Sequence, residues 1–136
     1  MATFLERYLS FHGRLARLPF FGRGIFIAIL ASAVSFVSIP FFSSGGIWWW
    51  VGILVVMASL ALLGTGIASL FVRRLHDLNL SGYHAIWVGA ADVGWSVLSY
   101  GTLRAMLLGL PLAAICAWIA LWPGSAGANR FGERPE

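Results

Sequence analysis

The chain has 136 residues, 60% of them hydrophobic and 10% charged, with a mean hydropathy of +0.86 and a formal net charge of +4. Soluble domains carry about 25% charged residues, so this composition excludes an ordinary water-soluble globule and fits a membrane protein. Nucleic acid is excluded as a partner despite a pI near 10.2, because the basic residues are few and separated by apolar spans.

In chain order, the first 19 residues form a cytoplasmic interfacial segment. Phe4-Leu5, Tyr8-Leu9 and His12 recur as a short amphipathic stripe with Glu6, Arg7 and Ser10 between them. The expectation is an interfacial helix on the inner leaflet, with Arg7 toward the phosphates. Four apolar runs follow over 20–122, at about 20–42, 47–72, 83–100 and 102–122. A hydrocarbon core of about 30 Å needs roughly 20 helical residues, and unbroken apolar runs without alternation choose helix over barrel strand. The first run, with Arg23 near its start, exceeds the apolar core of a signal peptide and reads as an uncleaved anchor. Ser43-Ser44-Gly45-Gly46 is a polar break, and Trp48-Trp49-Trp50 places the start of the second span at an interface. Ser81 is the expected N-cap of the third. A tight turn around Gly101 makes the third and fourth an antiparallel hairpin, and Pro111 should bend the fourth. Residues 123–136 form a cytoplasmic tail that Phe131 could anchor, although Gly124, Gly127 and Gly132 suit disorder equally well.

The expected fold is therefore an all-α, four-transmembrane-helix bundle with both termini cytoplasmic. All nine basic residues are Arg. With the N-terminus inside, Arg7, Arg14, Arg17, Arg23, Arg73, Arg74, Arg130 and Arg134 share one side, and Arg104 alone occupies the other. Small-residue rows give every span a packing seam: Gly24, Ala28 and Ser32; Ala61, Thr65 and Ser69; Ala85 and Gly89; Gly109, Ala113 and Ala117. They suit a compact bundle or a homo-oligomer alike.

Two features carry chemistry. Asp92 lies about 14 Å into the third span, near the midplane, where a carboxylate is a functional candidate. It serves a proton or cation relay, or it is paired with Thr65, Ser69 or Arg104. The second is a cytoplasmic cluster of Arg14, Arg17, Arg73, Arg74, His76, Asp77, Asn129 and Arg130, with Arg73 and Asp77 placed to pair at i, i+4. Arginines at that level hold topology and snorkel to phosphates generically. The accompanying His76, Asp77 and Asn129 exceed what topology requires.

Gly13-Arg14-Leu15-Ala16-Arg17 before an aromatic-led span, Arg73-Arg74-Leu75-His76-Asp77 with Ser81-Gly82, and Asn129-Arg130-Phe131-Gly132 with Pro135 resemble the bacterial inner-membrane proteins grouped as domain of unknown function 805. The resemblance covers nearly the whole chain, with the blocks in the family's order. Tyr83-His84 departs from the paired tryptophans common there. A bacterial cytoplasmic membrane and a small multi-helix fold are implied; no activity is.

No phosphate-cradling loop or zinc-peptidase motif is present, and the lone Cys116 has no partner for a disulfide or a thiolate metal site. The expectation is a non-enzymatic membrane module without cofactor or metal. Its Arg cluster binds anionic lipid headgroups or an acidic partner, and its seams pack against itself or a neighbouring membrane protein. The alternative is a small oligomeric transporter or channel that uses Asp92. A lipid-modifying enzyme built on His76 and Asp77 is the third reading.

Overall fold

A computed structural model describes residues 4–98 and 103–135. The described residues form five α-helices: α1 (Phe4–Leu9), α2 (Arg17–Ser44), α3 (Gly46–Asp77), α4 (His84–Leu98) and α5 (Leu103–Leu121). No strand is found among them; the only strand-like feature is an isolated bridge between Asn129 and Gly132. The helical class expected from the sequence is therefore observed.

Helices α2 and α3 are long and apolar enough to cross a membrane, and α5 adds a shorter apolar stretch, Gly109–Leu121. A core helix of a soluble protein passes the same length test, but it is mostly buried. Here only 11% of the most apolar window of each long helix is buried. Phe36, Ile39, Leu54 and Leu60 are all exposed, which suits a lipid surround and not water. Ser32, Ser35, Ser38, Ser59 and Thr65 each donate to the carbonyl four residues earlier, so these hydroxyls are satisfied within their own helices and not offered to an apolar medium.

The chain divides into two compact units. The first comprises residues 4–10 with Phe21–Leu70. The expected polar break contracts to Gly45 alone, because Ser43 and Ser44 extend α2 by donating to the Pro40 carbonyl. Gly45 and Gly46 have φ of 65° and 57°, a left-handed pair that glycine adopts without steric cost. Beyond it Phe41 meets Trp48, and Phe42 meets Trp49 edge-on. Close approach occurs at Gly52, against Phe41 and Phe42, and at Gly66, against Ile27. Of the predicted seams, Ser69 is buried, whereas Ala28, Ser32, Ala61, Gly64 and Thr65 are exposed, and an added Cβ at Gly24 or Gly64 meets nothing. Helix α1 ends at Leu9, before His12, so the predicted stripe is cut short by one turn. Tyr8 packs on Phe26 at 5.6 Å between ring centroids, and Ser69 donates to the Ser10 carbonyl.

The second unit comprises Phe11–Phe20 with residues 71–98 and 103–135. It contains the ends of α3 and α5, the described part of α4, and the tail. Ser81, the expected N-cap, lies three residues before α4 and heads the turn that leads into it: its hydroxyl accepts the Tyr83 N–H at 3.4 Å, and its carbonyl accepts that of His84. Gly109 packs on Trp95 at 3.0 Å from the position of an added Cβ, one element of the predicted α4–α5 pairing. Gly101, where the turn between them was expected, lies outside the described residues.

Candidate functional site

The site is built on two helix C-termini in the second unit. Each leaves its last carbonyls without an intrahelical donor, and every one is accounted for. At the end of α3, the Arg74 carbonyl accepts from Leu78 N–H, and that of Leu75 from Leu78 and Leu80. The His76 carbonyl accepts from Asn79 N–H and Asn129 Nδ2, and Asp77 receives both the N–H and the hydroxyl of Ser125. Asn79 has φ 60°, the left-handed residue that closes a Schellman motif.

At the end of α5, Trp118 accepts from Trp122 N–H, but the next carbonyls are taken by arginines from elsewhere in the chain. Arg74 Nε donates to Ile119 at 2.9 Å and Arg74 Nη2 to Ala120 and Trp122; Arg17 Nη1 reaches Leu121 at 3.3 Å. Cations belong at these ends, where the helix dipole is negative.

Asp77 lies between two guanidiniums. Its Oδ1 accepts from Arg14 Nε at 3.1 Å and Nη2 at 2.9 Å, and its Oδ2 accepts from Arg74 Nη1 at 2.6 Å. The remaining N–H groups of Arg14 read the tail: Nη1 donates to the carbonyls of Gly127 and Gly132, and Nη2 to that of Ser125. The side chains of Arg14, Arg74 and Asp77 are 1%, 0% and 5% exposed. Burial pushes the Arg74 guanidinium below its ordinary value; Asp77 opposes that shift and the like charge of Arg17 adds to it. Gly124 has no side chain for a reason visible here, since an added Cβ would fall 2.5 Å from Asp77 Cγ.

His76 stacks on Phe131, with ring centroids 3.9 Å apart and planes 7° from parallel. Its Nδ1 lies 3.1 Å from the Gly13 carbonyl and donates to it in that tautomer. Burial holds its pKa below the ordinary value; the Gly13 bond opposes this, and the positive charges of Arg130 and His12 reinforce it. Arg130 donates to the Asn79 carbonyl, with its guanidinium 4.7 Å from the Phe131 ring centre. Asn129 also donates to Ser125 Oγ and accepts from Phe131 N–H.

All eight residues predicted for the cluster thus gather in one unit, but in two roles. Arg14, Arg74 and Asp77 form a buried knot, with His76 and Asn129 half-buried around it. Arg17 and Arg130 remain exposed. Both Asp77 oxygens are bonded, to Arg14 and to Arg74, and the Arg73 carbonyl accepts from Leu15 N–H. Arg74, one residue farther along the helix, is the one whose side chain enters the interior beside Asp77. The sequence reading missed Gly124, Ser125 and Arg134 as parts of the site. Their only signal was the Pro-Gly-Ser and Glu-Arg-Pro setting of a tail that also reads as disordered. Arg17, Arg134, Arg74, Asp77 and Ser125 line a polar cavity of about 140 Å³. Among the described residues no three His, Cys, Asp or Glu side chains converge as metal ligands.

Asp92 is exposed on α4. Thr65 and Ser69, its suggested partners, donate their hydroxyls to Ala61 and Ser10 carbonyls; the side chain of Arg104 lies outside those described.

A family model described as "Protein of unknown function (DUF805)" matches residues 8–133, a range that takes in the whole knot. No curated protein and no solved structure matches the chain.

Proposed function

The chain belongs to the DUF805 family of proteins of unknown function, and we propose that it is a multi-pass inner-membrane module, without catalytic activity, whose exposed arginines hold anionic lipid headgroups. The observation that carries this reading is the division of the arginines. Arg14 and Arg74 are consumed by Asp77 and by backbone carbonyls, whereas Arg17, Arg130 and Arg134 stay exposed on the same unit. A buried knot fixes the platform, and the exposed guanidiniums are offered to phosphate, whose geometry a planar fork matches.

In this reading the second unit's arginines lie at the cytoplasmic headgroup level, as the arginine bias of the four-span topology requires. Asp77 serves the fold: both its oxygens are occupied by guanidiniums, which argues against a catalytic His76–Asp77 pair.

The test is the lipid that co-purifies in polymer-excised native membrane discs. Wild type is expected to be enriched in anionic lipid over the bulk membrane. The Arg17→Gln, Arg130→Gln, Arg134→Gln triple variant should match the bulk. Equal enrichment in both would end this reading. The oligomeric transporter is the second reading, in which Asp92, exposed on the apolar helix α4, is the intramembrane acid of a pathway. Proton flux in liposomes that Asp92→Asn leaves unchanged would remove it.

A further inference from the structure

The polar cavity of the second unit is bounded by Arg17 and Arg134, with the Arg74–Asp77 pair and Ser125 among the residues that line it. We propose that this cavity seats a single phosphate group, gripped between the guanidiniums of Arg17 and Arg134. This rests on the headgroup reading and narrows it to one place and one chemical class, the phosphate monoester.

Size, charge and spare hydrogen-bonding capacity agree. About 140 Å³ is several times the roughly 30 Å³ that one water occupies in the liquid, enough for a phosphate. Three arginines line the cavity against one carboxylate, and that carboxylate is already matched by Arg14 and Arg74. A net positive charge therefore faces the space. An arginine has five N–H donors. Arg17 donates one of them, to Leu121, and Arg134 makes no hydrogen bond or ion pair with any other described residue. The like-charge interaction of Arg17 with Arg74 is one that a bound anion relieves. A monoester presents three terminal oxygens and up to two charges, enough to engage two forks at once. A diester, esterified on both sides, offers two oxygens and one charge.

The phosphate has two possible sources, a monoester lipid headgroup or free phosphate in solution. Full-length protein in phosphatidylcholine nanodiscs is titrated with inorganic phosphate by calorimetry. In parallel, discs containing phosphatidic acid or phosphatidylglycerol at equal surface charge report lipid bound to the protein. Saturable binding to one site is expected, with preference for phosphatidic acid if the source is lipid, or binding of inorganic phosphate without that preference if the source is free anion. Arg134→Gln should weaken whichever binding is seen at least tenfold. Arg17→Lys, which keeps a donor for the Leu121 carbonyl, should weaken it as well, and Arg130→Gln by less than threefold. The cavity is refuted if Arg134→Gln changes nothing, or if both anionic lipids are held equally and only Arg130→Gln releases them. In that last case the broader headgroup reading stands. Failure of the protein to hold either lipid or phosphate would remove both.

Discussion

Replacing Asp77 by Asn tests the knot because it removes the one negative charge between two buried positive ones. Asn offers a single oxygen in place of two and turns an NH2 group toward a guanidinium that can only donate. Three charge-assisted bonds, at 3.1, 2.9 and 2.6 Å, are lost or weakened. Breaking a buried ion pair from one side costs about 3–5 kcal/mol, because the remaining charge stays desolvated. At about 1.4 kcal/mol per tenfold, the open population of whatever the knot holds rises by roughly two to almost four decades. What it holds is the tail, since Arg14, oriented by Asp77, donates to the carbonyls of Ser125, Gly127 and Gly132. The amides of Ser125, Asn129 and Gly132, bonded to Asp77, Gly132 and Asn129 carbonyls, are the reporters. Hydrogen exchange in nanodiscs should show them accelerated at least a hundredfold in the Asp77→Asn chain, with the middle of α3 unchanged. Tail amides within threefold of wild type would refute the knot as the tail's anchor.

Three further outcomes follow from the same geometry. Gly124→Ala places a methyl group against a carboxylate that two arginines prevent from moving, so it should cost about 1–3 kcal/mol in denaturant unfolding and loosen the tail; unchanged stability would contradict the packing. Asn79→Ala should destabilise by about 1 kcal/mol at its left-handed φ of 60°, whereas Asn79→Gly should be neutral in the same assay. His76 has a folded pKa depressed below its unfolded value of about 6.5, so the unfolded state binds its proton first. Its contribution is therefore intact above about pH 6.5 and is lost as pH falls toward the folded value. Exchange at the Phe131 amide, corrected for intrinsic rate, should rise over that interval, and His76→Phe, which keeps a ring against Phe131, should flatten the profile.

The helical class and the long apolar runs were legible because they depend on composition over twenty residues at a time. The eight cluster residues were also legible as a group, since polar residues beside apolar spans stand out. What each arginine does was not. Arg73 and Arg74 are adjacent and identical in type, yet Arg74 is fully buried and Arg73 half-buried. That distinction depends on where the α5 carbonyls arrive, which is a tertiary fact. The i, i+4 rule considers one helix in isolation and does not reveal the bonds from Arg14 and Arg74 that hold Asp77. The tail read equally well as anchored or as disordered because the bonds that hold it run from Arg14 to backbone carbonyls. Carbonyls are the same at every residue and leave no mark in a sequence. The small-residue rows were legible only in part: Gly109 meets Trp95 as its row suggests, but the close approaches at Gly52 and Gly66 lie outside the predicted rows, because spacing finds a row of small side chains but not the helix face that is used.

The most direct measurement of the central claim is native mass spectrometry of the full chain released from nanodiscs of mixed zwitterionic and anionic lipid. The account predicts that wild type emerges with a defined number of anionic lipids, which the Arg17→Gln, Arg130→Gln, Arg134→Gln variant loses while remaining folded. A protein that emerges free of lipid, or a variant that retains as much as wild type, would contradict it.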